Sequence, residues 1–170
     1  MVINMNKTKF NLPEVELTEE QLVDLISTAM ADTCGFDWWK LEHEEDYEKA
    51  KAELIAELHP DADDSLCFEQ VWARVLFNGG KLLLLEAESD WHWKGFPDGT
   101  MLWNYQIRAS GTEPEGGTWH AVGLEEICKG LSKYMHNEGY ATVDQLLTNG
   151  DFYTAEAAFQ CAAYGEVQFG

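Results

Sequence analysis

Any fold open to this chain has to leave a large excess of negative charge in water. In 170 residues, 31 Asp and Glu stand against 11 Lys and Arg, a formal net charge of −20. A field of that sign repels nucleic-acid phosphates and acidic membranes and attracts basic protein surfaces. The charge does not preclude a core. Hydrophobic residues make up 45% of the chain, and 7 Trp, 8 Phe and 6 Tyr supply large buried area, enough to offset chain entropy. The length suits one domain. Cys34, Cys67, Cys128 and Cys161 are far apart and form no C-x-x-C, which reads as reduced thiols rather than a disulfide framework. Residues 1–10 show neither the apolar segment nor the cleavage site of a signal peptide. The longest strongly apolar run, residues 82–85, is far short of a membrane span. The expectation is a soluble, cytoplasmic protein.

Residues 15–17 alternate as a short strand would. Thr18 to Gln21 form a capping box that opens a helix, with Leu22, Leu25, Ile26 and Ala29 at helical spacing. An aromatic knot at residues 36–39 precedes a helix over 42–58 with Tyr47, Ala50, Leu54 and Leu58 on one face. A turn at 59–64 leads to a helix over 65–77 anchored by Leu66, Val71, Val75 and Leu76, which Asn78 and Gly79 end. Strands are expected at 81–86, 101–109 and 118–122, forming an antiparallel meander, with a loop at 89–99 and a turn-rich connector at 110–117. Helices follow at 123–136, 143–147 and 151–163. The second of these three is short. The last is capped by Asp151, and Phe152, Ala155, Phe159 and Ala162 face inward. Residues 166–170 read as a terminal strand with Val167 and Phe169 on one face. The reading is one α+β domain over residues 1–170, its first ten residues free to be flexible, with several helices on a small, mainly antiparallel sheet.

Five segments also carry a resemblance. They are L-T-E-E-Q-L-x-D-L-x-x-T-A at 17–29, the pair Trp38-Trp39, N-G-G-x-L-x-L-x-x-A-E at 78–88, the L-E-x-x-x-x-G-L helix at 124–131, and a C-terminal run. That run holds Asp151, Thr154, Ala155, Gln160, Ala162, Gly165, Glu166, Val167 and Gly170, and its Q-x-A-x-x-G-E-V-x-x-G ending is the most specific part. Together they resemble a group of small, acidic, uncharacterised proteins of bacterial phages, prophages and mobile elements. The resemblance implies a bacterial host cell as the setting and brings no activity with it. The stretches 42–64 and 110–117 are longer here than in that group, so a role placed in either is not implied by it.

The densest chemistry lies in residues 37–69. Asp37, Glu42, Glu44, Glu45, Asp46, Glu48, Glu53, Glu57, Asp61, Asp63, Asp64 and Glu69 face only Lys40, Lys49 and Lys51. On a helix Glu45 and Glu48 share a side, and Glu53 and Glu57 form an i,i+4 pair. Rows of carboxylates can imitate a phosphate backbone and fill the basic groove of a nuclease; the plainer reading is a solvated face. Trp91 and Trp93, in a polar loop, are the expected exposed aromatics, and surface aromatics can be binding hot spots.

His59, Asp61, Asp63 and Asp64 lack the glycine and distal glutamate of a calcium loop, and His43 and His92 lack zinc spacing, so neither metal nor cofactor is expected. No nucleophile elbow, phosphate loop or dinucleotide fingerprint occurs. Ser132 and His136 lie one helical turn apart without an orienting acid, and His120 with Glu125 or Glu126 offers an acid–base pair.

The expected function is a non-enzymatic inhibitor that binds the basic surface of a host nucleic-acid-handling defence enzyme, of anti-CRISPR or antirestriction type. It would act through Glu42, Glu44, Glu45, Glu48, Glu53, Glu57, Asp61, Asp63, Asp64, Trp91 and Trp93, without contacting nucleic acid itself. One alternative is a small hydrolase or nucleotide-acting enzyme built on His120, Glu125 and the Trp loop. Another is an accessory protein that oligomerises through strand 167–169.

Overall fold

The computed structural model describes residues 15–31, 34–58, 65–103, 106 and 111–170. The chain is α+β. Its elements in order are α1 (Glu19–Ala29), β1 (Phe36–Leu41), α2 (Glu45–Leu58), α3 (Phe68–Phe77), β2 (Leu82–Glu86), β3 (Trp91–Trp93), β4 (Pro114–Gly116), β5 (Trp119–Val122), α4 (Leu124–Glu138), α5 (Val143–Asn149) and α6 (Phe152–Tyr164). Among the described residues no helix is long and apolar enough to cross a membrane.

Helix starts follow from capping chemistry. Thr18 Oγ1 accepts from the Gln21 amide at 3.1 Å while Gln21 Oε1 accepts from the Thr18 amide at 2.9 Å. Gln70 and Glu126 reach back in the same way to the amides of Cys67 and Gly123. Asp151 accepts from the Thr154 amide at 2.9 Å and opens α6.

α6 is the axis of the molecule. Eight consecutive residues, from Thr154 to Cys161, are buried, so the helix is covered on every side. α1, α4 and α5 pack around it, and Trp39 of β1 meets Phe159 edge-on with ring centroids 4.8 Å apart. α4 comes closest, because a Cβ on Gly130 would lie 2.3 Å from the Ala162 nitrogen. α3 joins α1 to α2 on the far side.

The main sheet has the order β1-β2-β5, antiparallel throughout, with Trp39↔Leu84 and Leu84↔His120 in register and a bulge between Phe36 and Trp38. Its α6-facing side carries Trp39, Leu84 and Val122. A second ribbon, β3–β4, covers part of the opposite side, where Trp38 meets Trp93 edge-on at 5.6 Å.

Several expectations are corrected. The place beside β2 given to 101–109 belongs to β1, because Phe36 to Leu41 bury both ends of a strand whose bulge at Asp37 breaks the expected alternation. Residues 101–103 join no strand, and most of the remainder of that expected strand lies outside the described residues. The loop 89–99 contains β3, and the connector contains β4. Residues 15–17 have no regular structure. Leu58 and Phe152, expected inside, are exposed at helix ends.

Residues 166–170 form no strand, because a side chain serves their backbone. Gln160 Oε1 accepts from the Gln168 and Phe169 amides, each at 2.9 Å, and its Nε2 donates to the Phe169 carbonyl at 2.9 Å. The turn at 59–64 lies outside the described residues.

Candidate partner-binding surface

The acidic stretch divides into two halves with different chemistry. Where β1 hands over to α2, the Glu42 amide donates to the Lys81 carbonyl at 2.9 Å, which ties the start of the stretch to the sheet. Glu42, Glu44, Glu45 and Glu48 are exposed. Among the described residues no lysine or arginine pairs with any of them. Among the described residues the Glu42 carboxylate meets only the exposed His43, at 3.7 Å. The first turn of α2 holds Glu45, Asp46 and Glu48, where the helix dipole favours negative charge.

The far half of α2 is engaged. Arg74 of α3, its side chain 14% exposed, reaches Glu57 Oε2 at 2.8 Å and Glu19 Oε1 at 2.9 Å, with Glu53 Oε2 at 3.9 Å. Asn78 Nδ2 donates to Glu53 at 2.8 Å. The hydrogen bond from Arg74 holds the Glu57 carboxyl below the usual range, and Glu57 and Glu19 push the guanidinium further up. Glu53 and Glu57 therefore do not belong with the free carboxylates. Sequence reasoning missed Arg74, although it is the only lysine or arginine between Lys51 and Lys81, a signal that it is shared among acids. Asp61, Asp63 and Asp64 lie outside the described residues.

Trp91 and Trp93 are not an exposed pair. Trp93 is 9% exposed, with its ring edge-on to both Trp38 and Trp91. Trp91 is half-buried, and its Nε1 donates to Asp37 at 2.8 Å. Both sit in a strand that packs on the sheet, where large rings are needed to cover it. The exposed indole is Trp103, at 71%. Lys40 pairs with Glu113 at 3.5 Å and lies 4.7 Å over the Trp119 ring, so the basic side chain of β1 is taken up as well.

Of the residues considered for catalysis, His120, Glu125 and Glu126 each take a different partner. Glu125 binds Lys129, and Glu126 caps the Gly123 amide, its carboxyl held below the usual range chiefly by backbone hydrogen bonds. His120 turns to Glu86, Nε2 to Oε2 at 2.9 Å, both partly buried, with its ring edge-on to Tyr164 at 4.7 Å. The strand register brings this pair together, since His120 faces Leu84 and Glu86 follows two residues on, on the same face of the sheet. Ser132, buried, and His136, exposed, line one cleft of 360 Å³ with Tyr140 and Thr142. Among the described residues no group of three or more His, Cys, Asp or Glu is arranged to hold a metal ion. His92 lies between Asp98 and Glu115 at 3.8 and 3.6 Å.

Comparison with protein-family models, with curated proteins and with solved structures returns no match.

Proposed function

We propose that this chain is a non-enzymatic inhibitor of phage or mobile-element origin that binds the basic surface of a host nucleic-acid-handling defence enzyme, of anti-CRISPR or antirestriction type. The observation that supports it is the group Glu42, Glu44, Glu45 and Glu48, exposed and unpaired with any lysine or arginine among the described residues. On α2, Glu45 and Glu48 stand about 5–6 Å apart at Cβ, close enough for one partner arginine to bridge them. Association driven by such charges is steered at long range and weakens as salt screens it.

The test is a pull-down from bacterial lysate at low salt, eluted with a salt gradient and read by mass spectrometry. A nuclease or other nucleic-acid-binding protein released by salt is expected, and charge reversal of Glu44, Glu45 and Glu48 to Lys should abolish its capture. Salt-indifferent capture, or capture by the reversed variant, would sink the proposal.

The His120–Glu86 pair favours a second reading, a small hydrolase or nucleotide-acting enzyme. A rise in melting temperature with one member of a nucleotide panel, lost in His120→Ala, would support it.

A further inference from the structure

Glu156, Gln160 and Tyr164 recur at every fourth residue, so they share one face of α6. Gln160 docks the tail: it accepts from the Gln168 and Phe169 amides and donates to the Phe169 carbonyl. It also donates to Glu156, which accepts from the Gly35 amide at 2.6 Å. The fit at Gly35 is tight, since a Cβ there would lie 2.5 Å from the Glu156 carboxylate. The Gly35 carbonyl in turn accepts from Tyr164 Oη at 2.8 Å and from the Ala87 amide at 3.0 Å. Ala87 follows Glu86, the residue that holds His120. A line of hydrogen bonds thus runs from the tail to the neighbour of the His120–Glu86 pair.

A second route runs through rings. Tyr164 meets Phe169 of the tail with ring centroids 5.9 Å apart, and it meets His120 edge-on at 4.7 Å. Phe36 stacks on the same ring at 5.3 Å. The tail itself is lightly held. Glu166, Val167, Gln168 and Gly170 are exposed and Phe169 is half-buried. The backbone hydrogen bonds that dock it go to one side chain, Gln160. A segment with so little burial belongs at the low end of local stability. Gly165, left-handed at φ +79°, supplies the bend where the tail leaves α6.

We propose that the C-terminal tail is a latch on the His120–Glu86 pair. Docked, it steadies Tyr164 through the Phe169 ring and Gly35 through Gln160 and Glu156. Released, it loosens both supports and opens His120 to solvent. The tail is the two-state element, and any molecule that binds the released tail shifts the pair toward its open state. The latch takes its use from the second reading above, in which His120–Glu86 is the reactive pair, whereas the coupling is argued from contacts alone.

The test is acylation of the full chain by diethyl pyrocarbonate, mapped residue by residue with mass spectrometry, in wild type and in Phe169→Ala. The exposed His43 is the internal reference. His120 should react severalfold faster in Phe169→Ala while His43 is unchanged. In the wild type, amide exchange at Phe169 and acylation of His120 should rise together in urea below the unfolding transition. Equal rates at His120 in the two proteins, with the variant's tail amides unprotected, would overturn the latch and leave the second reading standing. Should the variant fold poorly or keep its tail docked, the wild-type series decides: exchange that rises at Phe169 while His120 stays protected overturns the latch. A nucleotide panel that raises no melting temperature would instead overturn the second reading and leave the coupling intact.

Discussion

The Arg74 guanidinium removes Glu53 and Glu57 from the carboxylates a partner can meet, and it also ties α1, α2 and α3 at one point. Because Arg74 lowers the folded-state pKa of Glu57, the pair adds stability above the unfolded carboxylate value and loses it as pH falls through the lower folded value. Arg74→Met should therefore lower the urea midpoint at neutral pH. The gap to wild type should narrow as pH drops below about 4.3, where glutamates protonate in the unfolded chain. A gap that stays constant down to strongly acid pH would mean that lost packing, not charge, is responsible.

Gln160 acts at the same scale. It is fully buried, its Nε2 donates to the fully buried Glu156 at 2.6 Å, and Glu156 in turn accepts from the Gly35 amide at 2.6 Å. Gln160→Leu takes one of its donors from the carboxylate and leaves the tail amides without their acceptor, at a cost of about 3 kcal/mol. Amide exchange at Gln168 and Phe169 should rise to that of an unprotected chain. Unchanged exchange there would show that the tail is held by the Tyr164–Phe169 ring contact instead.

Helix α4 meets α6 through Gly130, and nothing larger fits between that residue and Ala162. Gly130→Ala should cost about 1–3 kcal/mol by overpacking, despite the higher helix propensity of alanine, and calorimetry would show a lowered melting temperature. A stabilised variant would mean that the two helices separate freely.

The helices were largely legible in the sequence because their signals are local. The Thr18–Gln21 box, the apolar spacing of Leu22, Leu25 and Ile26, and the Asp151 cap each lie within one or two turns. β2 was legible for a related reason, as an apolar run preceded by glycines. β1 was not, since the bulge at Asp37 spoils its period and its place depends on a partner far along the chain. β3 and β4 are three residues each, too short for any period. The alternating tail misled because the group that takes its backbone hydrogen bonds is a glutamine on α6. At the site, the exposed acids of early α2 were readable from composition, whereas the capture of Glu53 and Glu57 by Arg74 and Asn78 depends on the fold.

For the whole molecule, the charge of −20 opposes compaction. Raising salt from about 0.01 to 0.1 M shortens the screening length from about 30 to 10 Å. The melting temperature should rise over that range, because repulsion spread over the whole surface outweighs the few ion pairs that salt weakens. A fall would show that pairs such as those of Arg74 dominate. The same addition of salt should loosen any basic partner, so stability and affinity are expected to move in opposite directions. The burial of α6 has one more consequence. In the chain, α6 follows every element that packs around it, so during synthesis those elements emerge first with a vacant centre. Until α6 threads into that space, their apolar faces have nothing lasting to rest against, and the newborn chain depends on its own like-charge repulsion to stay apart from its neighbours.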